Sequence, residues 1–193
     1  MTQRVFMTTK KNLVRGFSLI ELLVVMSIML TLSTLILIRH NEFKIQLLLR
    51  SLSYEIALAI RQAQVYGLGL RELKGITDPF QIGYGVHFET ASPTTFLLFA
   101  DVDRNHQFVL ADGDTVVQTY KLSHGSIISQ LCQGNGINVG CGKTTLDIVY
   151  ERPEPEAFIN GDQSLSTATI QIKSLKGDVR YIAAWITGQI LVQ

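Results

Sequence analysis

Residues 17–38, FSLIELLVVMSIMLTLSTLILI, form an apolar run that contains a single ionisable side chain, Glu21. About 20 apolar residues in helical form cross the ~30 Å hydrocarbon core of a bilayer, so the run is long enough to span one. The sixteen residues before it hold Arg4, Lys10, Lys11 and Arg15 and no acid. Basic residues on that flank place the N-terminus in the cytoplasm and everything beyond about Arg39 outside. A secretory signal has a shorter apolar core followed by a small-residue cleavage site, and no such site follows here. On these features alone the segment reads as an uncleaved membrane anchor.

The junction adds something an anchor does not need. Gly16-Phe17-Ser18-Leu19-Ile20-Glu21, preceded by Lys10, Lys11 and Arg15, resembles the type III signal of type IV pilins and pseudopilins. The resemblance implies a leader of residues 1–16, cut by a prepilin peptidase between Gly16 and Phe17, with methylation of the new amino terminus on Phe17. A start at Met7 would shorten the leader and leave the junction unchanged. A carboxylate inside a membrane helix costs about 2.5–3.5 kcal/mol by insertion scales and normally marks function. In the bilayer Glu21 can snorkel to the cytoplasmic interface. In a dry filament core it needs a partner. The resemblance supplies one: the free amine of Phe17 in a neighbouring subunit, which makes Glu21 the assembly residue.

Beyond residue 38 the apolar character becomes periodic. Phe43, Leu47, Leu48, Leu52, Ile56, Ala59, Ile60 and Ala63 recur at three- and four-residue steps, with Arg50, Ser53, Arg61 and Gln64 mostly on the other side. No Pro or Gly interrupts Phe17 to Tyr66. The pattern predicts one helix over residues 17–66, ending near Gly67-Leu68-Gly69, with 17–38 in the membrane or filament core and 39–66 packed on the rest of the chain. Residues 67–193 read as a β-rich head. Expected strands are 81–89, 94–100, 115–122, 126–131, 145–150, 167–173, 178–186 and 189–192. Lys176-Gly177-Asp178 and Thr187-Gly188 look like tight turns, and Asn160-Gly161 is a stronger hairpin signal. The Pro-containing stretch 151–156 reads as a polar connection.

Arg61-Gln62-Ala63, the Asp-rich turn beginning at Asp101 and the closing strands through Thr187-Gly188 are similar to GspH/FimT-type minor pilins and pseudopilins. This implies an α+β fold, a long helix packed on a sandwich-like β head. It also implies a subunit of a type IV pilus or a type II secretion pseudopilus, working with a prepilin peptidase, an assembly platform protein, other pilin or pseudopilin subunits and the lipid membrane. The expected location is a single-pass inner-membrane protein with its head outside, then an extracellular pilus or periplasmic pseudopilus. A DNA-binding competence pilin is the alternative. However, the basic G-R-x-R motif of that branch is matched here by Gly188-Gln189-Ile190-Leu191, without either Arg. The head also carries nine Lys and Arg against thirteen Asp and Glu, which disfavours phosphate binding.

Asp101, Asp103, Asn105 and Asp112 stand at positions 1, 3, 5 and 12 of a loop, the spacing of a calcium loop. Position six is His106 rather than Gly, and the twelfth is not a Glu. A hairpin turn held by Asp and Asn side chains is the competing reading, and the expected cofactor is none, with calcium as the alternative. Cys132 and Cys141 bracket a Gly/Asn loop that outside the cytoplasm would be closed by a disulfide, stabilising it by about 2–3 kcal/mol. Gly142-Lys143-Thr144 ends like a phosphate-binding loop but has Ile137 where the first Gly belongs. His40, His87, His106 and His124 are scattered with no second ligand at metal spacing, and no nucleophile motif is present. Trp185 alternates with Ala184 and Ile186 as a core strand residue would. Nothing in the pattern calls for an enzyme.

Overall fold

The computed structural model of the protein describes residues 16–69, 82–136 and 138–193, with residues 38–43 and Asn138 as backbone only. The chain divides into two compact units, Met1–Phe43 and Lys44–Gln193. The leader, the side chain of Phe43 and the opening of the first expected strand at Gln81 lie outside the described residues.

One helix, α1, runs Leu19–Leu68. Its N-terminal part is the span-length apolar stretch Leu19–Leu37, whose side chains are exposed throughout. Hydroxyl groups in this stretch bond back to the preceding turn: Ser27 to Val24 O at 2.8 Å, Thr31 to Ile28 O at 2.9 Å and Thr34 to Leu30 O at 2.8 Å. Such bonds remove the polarity that would otherwise make these residues costly in hydrocarbon.

From Lys44 onward α1 is amphipathic in its packing. Leu49, Leu52, Ile56, Ala59, Ile60 and Ala63 are buried and belong to a single core cluster. The stripe differs from its sequence expectation by one register step. Leu47 is exposed and Leu49 takes its place, because three consecutive leucines leave the face undetermined until the helix docks. Ser53, expected on the solvent side, is fully buried; its hydroxyl is satisfied by Leu49 O at 2.8 Å, so burial leaves no orphan donor.

Ten strands come after it among the described residues: β1 Gly83–Glu89, β2 Thr95–Asp101, β3 Thr115–Lys121, β4 Ile127–Asn135, β5 Asn138–Cys141, β6 Thr145–Tyr150, β7 Ala157–Ile159, β8 Thr167–Lys173, β9 Val179–Trp185 and β10 Ile190–Val192. They make two five-stranded sheets in the orders β3-β2-β1-β6-β7 and β10-β9-β8-β4-β5, with every pair antiparallel. The expected α+β architecture is the observed one. Two strands carry no legible signal of their own. β5 arises within the Gly/Asn loop, which pairs back on β4 instead of lying unpacked, and β7 comes directly after the Pro-containing connection. Asn160 and Gly161, both at positive φ (48° and 76°), make the expected tight turn, but it closes only an Ile159–Asp162 bridge.

The helix stripe meets both sheets in one core: Val86 and Phe88 of β1, Phe96 and Leu98 of β2 and Ile148 of β6 from the first, Leu131, Ile170, Ile172 and Ile182 from the second. Each fully buried Leu, Ile or Phe here contributes about 1.5–3 kcal/mol. The helix end fits closely against the first sheet. A Cβ on Gly67 would lie 2.0 Å from the Tyr150 carbonyl oxygen, a backbone atom that cannot step aside. Gly67→Ala therefore gains helix propensity but loses this fit. We expect it to lower unfolding stability by about 1–3 kcal/mol; an unchanged denaturation midpoint in detergent would contradict such close docking of α1 on β6.

Candidate functional site

At the N-terminal end of the described chain, Gly16, Phe17 and Ser18 precede α1 and are exposed, and Leu22 N–H donates to Ser18 O at 3.1 Å to open the helix. Among the described residues, none beyond its chain neighbours comes within 4 Å of where a Cβ on Gly16 would stand, and its φ is not in the left-handed region. The fold thus places no demand for glycine at this position. Glu21 sits in the first turn of α1, the end where a negative charge is favoured by the helix dipole. Its side chain is exposed, and no Lys, Arg or His forms an ion pair with it among the described residues.

The second candidate region is the loop 102–114 between β2 and β3, which lies over the face of the first sheet opposite the core. Phe108 packs against His87 and Phe99, with ring centroids 4.8 and 5.0 Å apart. Arg104 and His106 reach Glu151 at 2.7 and 2.8 Å, and the His106 ring stacks on Phe158 at 3.6 Å. Beneath Phe108, His87 Nδ1 is hydrogen-bonded to Asp147 Oδ1 at 2.6 Å in a buried position. Neither histidine is isolated, although the sequence shows no neighbour for them; their carboxylate partners are 60 and 45 residues away.

Inside the loop, Asp and Asn side chains hold the backbone as the turn reading expects. Asp103 Oδ1 accepts from Asn105 N–H at 3.2 Å, and Asn105 Oδ1 accepts from Gln107 N–H at 2.7 Å. Asp101, Asp103 and Asp114 bring one oxygen each to within 4.8 Å of one another. Of the four residues singled out by spacing, this cluster contains Asp101 and Asp103. Asp112 is exposed in a 3-10 turn, Leu110–Asp112, and is not in the cluster. Gly113, at φ 105°, ends that turn, and Asp114 accepts from Val102 N–H at 2.9 Å and Val109 N–H at 2.8 Å, tying the two sides of the loop together. Asn105 is occupied with the turn, its amide donating to Asp103 Oδ2.

Burial pushes the Asp101 carboxyl up to about 7, with further upward contributions from the neighbouring Asp103 and Asp114 carboxylates. Asp114 is also raised, chiefly by burial. A carboxyl raised on folding favours the native state fully below its unfolded value, and that contribution is lost as pH rises through the folded value. In metal-free buffer the thermal midpoint should therefore carry a component that falls between about pH 4 and pH 7, and Asp101→Asn should remove that component. Parallel pH profiles for the two proteins would show that this carboxyl does not carry it.

Cys132 and Cys141 stand directly opposite each other on β4 and β5 and are joined by a disulfide, with Cα atoms 4.0 Å apart.

Residues 11–37 match the prokaryotic N-terminal methylation motif. The chain carries a prepilin-type signal. The matched segment takes in the Gly16–Phe17 junction, Glu21 and the whole span-length stretch of α1. No curated protein and no solved structure matches the chain.

Proposed function

We propose that the chain is a structural subunit of a type IV pilus or a type II secretion pseudopilus, of the GspH/FimT kind. It is processed between Gly16 and Phe17, N-methylated on Phe17, held in the membrane by residues 17–38 and polymerised through α1. The observation that carries this reading is the methylation motif across the junction. Its partners are a prepilin peptidase, a platform protein, other pilin-like subunits and, before assembly, the lipid bilayer. The basic leader puts the N-terminus inside and the head outside. The disulfide is in keeping with an oxidising compartment for the head. The chain itself performs no chemistry in this scheme.

Glu21 has a defined task. In the bilayer it sits near the cytoplasmic interface. In a filament it neutralises the amine that cleavage exposes on Phe17 of an adjacent subunit, so an unprocessed chain lacks the charge its neighbour needs. Burying both charges is tolerable only when each has the other.

The experiment is mass spectrometry of sheared surface filaments beside the membrane fraction. The expected finding is a peptide that begins at Phe17 and carries one added methyl group. Gly16→Leu should abolish that peptide and leave full-length protein in the membrane; incorporation of this variant into filaments would overturn the junction assignment. Glu21→Val should insert and be cleaved normally but reduce filament incorporation by at least about tenfold, since its neighbour's amine is then buried without a counter-charge. Normal incorporation would remove the role given to Glu21 while leaving the processing site intact.

A further inference from the structure

We propose that the root of the 102–114 loop is a calcium site built by Asp101, Asp103 and Asp114. The Asp101 side chain is completely buried. Its Oδ2 accepts from His106 N–H at 3.0 Å, while its Oδ1 is buried with no hydrogen-bond partner. A buried carboxylate oxygen without a donor is costly, and here two more carboxylates stand beside it instead of cations. No Lys, Arg or His pairs with any of the three among the described residues. A divalent cation supplies what this arrangement lacks.

The donor set selects the cation. It consists of hard carboxylate oxygens with no His or Cys, which disfavours zinc and copper and suits calcium or magnesium. Calcium takes six to eight oxygens at about 2.3–2.6 Å in flexible geometry, so oxygens within 4.8 Å of one another can share one ion. Magnesium demands a tighter octahedron and gives up its waters reluctantly. Asp103 is exposed, so the site opens to solvent on one side, where water completes the coordination.

Both oxygens of Asp114 and of Asp103 already accept one hydrogen bond, and each keeps a second lone pair with which to meet a cation. Asp114 accepts one N–H on each oxygen, from Val102 and Val109, and Asp103 accepts from Asn105. These bonds fix the carboxylates in place and do not neutralise them. The ion would join the end of β2 to the start of β3 and so hold down the loop that carries Phe108, Arg104 and His106 onto the first sheet.

The test uses the full-length protein in detergent, stripped with a chelator and then titrated with calcium chloride at about pH 7.5. One calcium should bind, with a dissociation constant on the order of 10⁻⁴–10⁻³ M, the range of extracellular modules. The thermal midpoint should rise by several degrees at calcium well above that constant. Magnesium at equal concentration should give less than about a third of the shift. Asp103→Asn, at an exposed position that leaves folding intact, should weaken binding at least about tenfold, as should Asp114→Asn. Asp112→Asn should bind as the parent does, since that residue is outside the cluster. Absence of binding up to about 10⁻² M calcium, an equal response to magnesium, or equal loss in Asp112→Asn would each overturn the proposal.

Discussion

The packing of α1 from Lys44 onward is the constraint on which the head depends. Each of the two sheets has an apolar face that must be covered, and neither covers the other alone. Leu49, Leu52, Ile56, Ala59, Ile60 and Ala63 lie in one continuous core with residues of both sheets, so the helix completes a layer that the strands leave open. Its small residues matter as much as its large ones. Ala59, Ala63 and Gly67 keep one line of the helix narrow, and at Gly67 the approach to β6 is too close for any side chain. β1 and β6, in the middle of the first sheet, are buried at every position but one each, a pattern that requires cover on the second face as well. The 102–114 loop supplies it through Phe108, which is why that loop belongs to the packing of the head and is more than a connection.

The apolar part of α1 obeys a different logic. The hydroxyls of Ser27, Thr31 and Thr34 all bond within the helix, so the segment solves its own polarity wherever the chemistry allows. Glu21 is the exception. Its exposed carboxylate has no ion-pair partner among the described residues. In the proposed scheme processing and assembly meet within a few residues. The group that cleavage would release and the carboxylate that would receive it are separated by about one helical turn in sequence.

What could be read from the sequence divides along physical lines. The apolar run, the long uninterrupted helix and eight of the ten strands carry local signals of hydrophobic period and turn chemistry. β5 and β7 are only four and three residues long, too short to display a period, and both owe their existence to a partner strand. The Leu47–Leu49 run shows a subtler limit. Three like residues satisfy every phase of the helix, and only docking chooses Leu49 over Leu47. Ser53 reads as solvent-facing because a hydroxyl is polar, yet a bond to the preceding turn makes it an acceptable core residue. The His87–Asp147 and His106–Glu151 pairs have no local signature, since the fold brings their members together across 60 and 45 residues.

The acidic loop shows why spacing along the chain and proximity in the fold group different carboxylates. A count of positions along the chain presumes the backbone path of a helix–loop–helix calcium site. This loop instead joins two antiparallel strands, so its last anchor must return to the level of its first. The 3-10 turn at Leu110–Asp112 and the left-handed Gly113 take up the chain in between, and the residue that arrives beside Asp101 is Asp114. The two backbone N–H groups that Asp114 receives come from opposite limbs of the loop, Val102 and Val109. Its carboxylate is thus positioned by the closure of the loop itself, and the same closure buries Asp101 with one oxygen unmatched. A strand connection that gathers three acids at its neck gains little from their mutual repulsion, and the arrangement is stable only when a proton or a cation stands among them.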